Sequence, residues 1–107
     1  MIIVMAIIKV ASQFTEYPGP RTREDWEFSG QEFYEDYLKP EYDKLGDKDI
    51  LKIDLDWTYR YPSSFLSEVF GRFQKEYSDK WWEKIELIST EDPSLLSFIS
   101  HLAKKYE

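Results

Sequence analysis

Apolar positions run along this chain in two rhythms, and each change of rhythm marks an element. Residues 2–10, Ile-Ile-Val-Met-Ala-Ile-Ile-Lys-Val, are nearly continuous in apolar character and rich in β-branched side chains, which predicts a buried first strand. Residues 11–28 follow neither rhythm. With Pro18, Gly19 and Pro20 among them they read as a long connection, with Phe14 and Tyr17 on an edge strand or short hairpin. Ser29 then opens a helix. Glu32, three residues on, completes a capping box, and Phe33, Tyr34, Tyr37 and Leu38 recur at helical spacing. Pro40 is expected to end or kink that helix near Lys39. Tyr42 and Leu45 suggest a further turn, and Gly46 a stop.

Residues 49–57 hold the second major strand, with Ile50, Leu51, Ile53 and Leu55 apolar as in a central strand covered on both faces. Asp54 inside it is a carboxylate in need of a partner. Helical spacing returns at Phe65, Leu66, Val69, Phe70 and Phe73, predicting a second helix from Ser64 to Lys75. Trp81 and Trp82 belong to a short helical turn or to the start of the next strand, Ile85, Leu87 and Ile88, which Ser89 and Thr90 leave. Asp92-Pro93 signals the last helix, with Leu95, Leu96, Ile99, Leu102 and Tyr106 as its stripe. The order β, loop, α, β, α, β, α predicts an α/β fold with a mixed or parallel sheet flanked by helices.

Composition narrows the function classes. A length of 107 residues predicts one domain, residues 1–107. The first ten residues have no basic stretch and no small-residue cleavage site, and they are too short to cross a bilayer, so no membrane association is expected. Cysteine is absent, which removes disulfides and thiolate metal sites and permits a cytoplasmic location. Asp and Glu outnumber Lys and Arg 21 to 14, for a net charge of −7, which argues against direct nucleic-acid binding.

The chemistry concentrates on the stretch from Asp54 to Leu66. Ser63 and Ser64 stand at a predicted helix start, beside unpaired backbone N–H groups and the positive end of the helix dipole, a setting for an anion as well as for an ordinary cap. Trp57, Tyr59, Tyr61 and Phe65 cluster round that start, as a partner-binding patch or as core. Asp54 and Asp56 can bind a divalent cation or pair with Arg21, Arg23 or Arg60, and ion pairing is the commoner arrangement. Arg21 and Arg23, following Gly19-Pro20, either aim at a ligand anion or pair with Asp25 or a strand-end aspartate. His101 is the single histidine and has no partners for a metal site, so neither metal nor cofactor is expected.

The stretch resembles the signature of STAS domains, in which a strand ending in Asp-Leu is followed by Asp-Ser-Ser-Gly-Leu at a helix start. Asp54-Leu55 and Ser63-Ser64 fall on these positions, with Pro62 in place of the aspartate and Phe65 in place of the glycine. A fuller resemblance is to the small STAS-like family. It pairs a Gly-Pro-Arg…Asp…Ser-Gly-x-x-Phe element with a Ser-Ser-Phe-Leu-x-Glu-x-Phe-Gly element. Here these are Gly19-Pro20-Arg21, Asp25, Ser29-Gly30 and Phe33, then Ser63 through Gly71. The resemblance implies a sheet of about four strands flanked by three helices. In anti-sigma-factor antagonists of the wider superfamily the serine matching Ser63 is phosphorylated by a partner kinase.

The expectation is thus a non-enzymatic regulatory or protein-interaction module, controlled by phosphorylation or anion binding at Ser63 and Ser64. Arg21, Tyr59, Arg60, Tyr61 and Phe65 are expected to meet a protein partner. The resemblance suggests a histidine-kinase-like ATPase. Two alternatives stay open. One is an acidic, phage-type inhibitor of a nucleic-acid-binding surface. The other is a small-molecule-binding or enzymatic domain using Arg21, Asp54, Asp56 and Ser63.

Overall fold

Three short strands, Met5–Lys9 (β1), Ile50–Asp54 (β2) and Ile85–Ile88 (β3), form a parallel sheet in the order β1-β2-β3 in the computed structural model, which describes residues 5–105. The register sets Ile8 opposite Ile53, and Ile53 opposite Leu87. Parallel neighbours need long crossovers, and helices supply them. A single helical turn, Val10–Gln13 (α1), leaves β1. A long helix, residues 30–43 (α2), joins β1 to β2, and residues 63–77 (α3), followed by the 3-10 segment Ser78–Glu83, join β2 to β3. Ser94–Lys105 (α4) completes the chain of elements. The fold is therefore α/β, and the described residues contain three strands and four helices.

Among the described residues a fourth strand does not form. The expected edge strand around Phe14 and Tyr17 is replaced by α1, which buries Val10 completely. Phe14 instead plugs the gap between α2 and α3. Its ring lies 5.0 Å from Tyr37, 5.3 Å from Phe33 and 5.7 Å from Phe28. Positions 2–4 of the first predicted strand, and Tyr106, lie outside the described residues.

Among the described residues the sheet is covered on one face only, which corrects the expectation for β2. Ile8, Leu51, Ile53 and Ile85 are buried, whereas Met5 and Ile7 are exposed and Ile50, Lys52 and Asp54 are half-buried. Strand order 1-2-3 with crossovers of one hand keeps successive helices on the same side. Asp54 falls on the open side, and this resolves its place in an otherwise apolar strand.

Both long helices carry a π-helical turn in the middle. In α2, Gly30–Phe33 and Lys39–Asp43 are α-helical and Tyr34–Leu38 is π-helical. The Lys39 N–H reaches back five residues to the Tyr34 carbonyl. This wider turn ends next to Pro40, which lacks an N–H and would crowd the carbonyl four residues earlier in a regular α-helix. The helix runs on through Pro40 to Asp43 instead of ending at Lys39. At its start the Ser29 hydroxyl accepts the Glu32 N–H at 3.1 Å, as the capping box predicts. In α3 the π turn is Ser67–Gly71, and the helix starts at Ser63 and ends at Tyr77.

The α2 and α3 backbones meet at glycine. A Cβ on Gly30 would lie 2.8 Å from the Phe65 carbonyl oxygen. Gly30→Ala is expected to cost about 1–3 kcal/mol, because overlap with backbone outweighs alanine's better helix propensity. Urea unfolding measures this, and an unchanged midpoint would refute the close approach.

Candidate functional site

The site lies beyond the carboxyl ends of β2 and β3, where open α/β sheets place ligands. Three hydrogen bonds shape it. The buried Asp56 carboxylate accepts the Thr90 hydroxyl at 2.6 Å and the Glu91 N–H at 2.9 Å, which ties the loop after β2 to the loop after β3. Burial alone would raise the Asp56 pKa. The Glu91 and Thr90 amides and the Thr90 hydroxyl outweigh it and hold the carboxyl below the usual aspartate range. The Tyr59 N–H donates to the Glu16 carbonyl at 2.7 Å, tying the same loop to the long connection after α1.

Trp57 turns the chain between these ties. It adopts φ 70°, a left-handed conformation that costs a bulky residue about 1–2 kcal/mol. Its N–H donates to Glu91 Oε1 at 2.5 Å while its side chain stands in solvent. Tyr61 turns inward. Its hydroxyl donates to the Leu55 carbonyl at 3.0 Å, and its ring lies 5.8 Å from Phe65. Burial pushes the Tyr61 phenol well up, a bond with Thr58 opposes this, and the charges of Asp54 and Asp56 add to the rise.

Two adjoining cavities result, sharing Tyr59, Arg60, Tyr61 and Ser63. The first, about 540 Å³, has Leu55, Leu66, Leu95 and Phe98 among its walls and Asp56, Glu91 and Asp92 among its polar groups. The second, about 630 Å³, is completed by Tyr17, Pro18 and Pro62.

From the helix cap at Ser29 to Leu95 on α4, residues 29–95 match the family described as a STAS-like domain of unknown function (DUF4325). The chain belongs to this STAS-like family. No curated protein and no solved structure matches it. The matched span contains both loops of the first cavity, and it excludes Tyr17 and Pro18, which complete the second.

Within this STAS-like domain, Ser63 is the first residue of α3 and is exposed, and Ser64 is half-buried. The serine pair does not cap the helix. Pro62 holds the cap position, and neither hydroxyl has a partner among the described residues. Pro62 sets the extended backbone that a cap residue needs, with φ −60° and ψ 143°, and so displaces both serines into the first turn.

Tyr59, Arg60, Tyr61 and Ser63 converge on the cavities, and two expected partner residues do not. Phe65 is 1% exposed and packs 6.0 Å from Phe33, because it lies on the buried stripe of α3. Arg21 turns away along α3, with Nη1 3.9 Å from Glu68 Oε1. Arg23 reaches Asp36 at 3.0 Å and Glu35 at 3.4 Å on α2, while Asp25 accepts the Thr22 hydroxyl. Both arginines thus join a ladder of charges between the two helices. Its centre is Arg72, which meets Glu35 at 2.9 Å and Glu68 at 3.3 Å, and lies 4.6 Å over the Tyr34 ring. Asp54 accepts the Asp56 N–H at 3.0 Å, a local turn closure.

The sequence reading missed Tyr17, Glu91 and Asp92 as site residues. The rule that placed Asp54 and Asp56 near the strand end applies equally to the segment after β3, and would have named Glu91 and Asp92. Tyr17 reaches the site through the Glu16–Tyr59 tie and its ring contact with Tyr59, neither of which a sequence pattern announces.

Proposed function

We propose that this STAS-like domain is a non-enzymatic regulatory module that docks a protein partner at the start of α3, with Ser63 as a phosphorylation switch. One observation carries the reading. Tyr17 and Tyr59, 67% and 82% exposed, line one cavity with a serine hydroxyl that the fold does not use. Large rings left in water at one place supply the contact area that interfaces use. Arg21 is engaged by Glu68, Asp54 by the Asp56 N–H and Asp56 by the loop after β3, and this use of all three within the fold supports a non-enzymatic role. A phosphate on Ser63 would place charge at the helix N-terminus, where the dipole tolerates it, and would change the face offered to the partner. The family resemblance suggests a histidine-kinase-like ATPase as that partner, and a cytoplasmic setting fits the cysteine-free chain.

Affinity capture from the native host tests the proposal. Wild type is expected to retain a partner, Tyr59→Ala to reduce it at least about tenfold, and Ser63→Asp to change the amount captured. Identical partner sets for all three proteins would overturn it.

A further inference from the structure

We infer that the two joined cavities form a groove for an extended, proline-rich protein segment that carries a basic side chain. The inference rests on the docking reading above and names the chemistry of the partner.

The first ground is the lining. Three tyrosines, Tyr17, Tyr59 and Tyr61, and two prolines, Pro18 and Pro62, surround one open cavity. The Tyr17 and Tyr59 rings are 6.0 Å apart and inclined at 39°, a tilted pair whose outer faces stay largely in solvent. Tyr61 presents ring and no free donor, since its hydroxyl is spent on Leu55. Exposed tyrosine faces beside prolines suit the flat faces of proline. A proline-rich segment is already extended in solution, so it loses little conformational freedom on docking.

The second ground is charge. In the adjoining cavity, Asp56, Glu91 and Asp92 face a single cation, Arg60, which has no carboxylate partner among the described residues. An arginine or lysine of the segment would lay its aliphatic stem along Leu66, Leu95 and Phe98, with its charge toward the acidic rim. The chain's net charge of −7 favours the same sign of partner.

The third ground is rigidity. The Glu16–Tyr59 and Asp56–Glu91 hydrogen bonds fix both walls before anything binds. A groove held open in this way lowers the ordering cost of association.

An array of Pro-x-x-Pro peptides, with Arg, Lys, Ala or Glu at each flanking position, tests this against the full chain. The expected result is selection of peptides with a flanking Arg or Lys, and binding at least about tenfold weaker when that residue is Glu. Affinity should also fall as salt rises. Tyr17→Ala and Tyr59→Ala should each weaken the selected peptide at least about fivefold. Their urea midpoints should stay at the wild-type value, because both rings are mostly exposed. An array with no preference for proline or for positive charge would overturn the inference, as would binding indifferent to both tyrosines. If host-partner capture still depends on Tyr59 in that event, the docking reading survives and the groove chemistry falls. If capture is also indifferent to Tyr59, both fall.

Discussion

Phe73→Ala is expected to lower the unfolding free energy by about 4 kcal/mol, the largest loss from any single change considered. Phe73 is wholly buried on α3 and touches four other rings. It stacks on Trp81 at 4.9 Å, meets Tyr42 edge-on at 4.8 Å and Tyr77 at 5.2 Å, and lies 6.0 Å from Tyr34. Truncation removes the transfer energy of the ring and leaves a hole that these neighbours cannot fill. Trp81 is pinned by its bond to Gln74 at 2.7 Å, and Tyr34 lies beneath Arg72. Domains of this size are stable by roughly 5–15 kcal/mol, so the variant should remain folded at low temperature and melt early. Urea unfolding checks the figure, and a loss under about 1.5 kcal/mol would show that the ring cluster repacks.

Asp56→Ala is expected to cost about 3 kcal/mol at neutral pH. It removes two hydrogen bonds to a buried charge, those from the Thr90 hydroxyl and the Glu91 N–H. The pH dependence follows from the direction of the shift. The folded carboxyl titrates below its ordinary value of 3.8, so the unfolded chain binds the proton more readily. Its contribution is complete above the unfolded pKa and is lost as pH falls through the folded one. Glu35 and Glu76 are also held low, chiefly by Arg72 and Lys39 respectively, and lose their contributions on acidification too. The difference between wild type and Asp56→Ala therefore isolates Asp56, and it should shrink steadily below pH about 4. A difference that stays constant down to acid unfolding would sink this account. The variant should also release the loop after β2 from the loop after β3 and weaken partner capture.

The strands and long helices were legible because each buries a face, and burial imposes a period. Phe65, Leu66, Val69, Phe70 and Phe73 announced α3 to within one residue at its start. Ser29 and Glu32 announced the start of α2 for the same reason, since helix ends need partners for their N–H groups. Of the end or kink expected at Pro40, the end does not occur, because that rule assumes regular α-helical pairing and the π turn before Pro40 escapes it. The strand count was misjudged at Phe14, where an aromatic plug carries the same apolar signal as an edge strand. At the site, Tyr59, Arg60, Tyr61 and Ser63 were legible as neighbours in sequence. Arg21 was misplaced because its choice of Glu68 depends on how α2 and α3 cross, which is a property of packing. Phe65 was misassigned because an aromatic residue reads alike whether it faces core or solvent.

The bare side of the sheet has a practical use. Ile7 stands there, 44% exposed, and no strand residue lines either cavity. Since the chain has no cysteine, Ile7→Cys would install a single thiol for coupling to a dye or sensor chip. Immobilised through that atom, the molecule would present its tyrosine-lined cavity unobstructed to whatever is flowed across it.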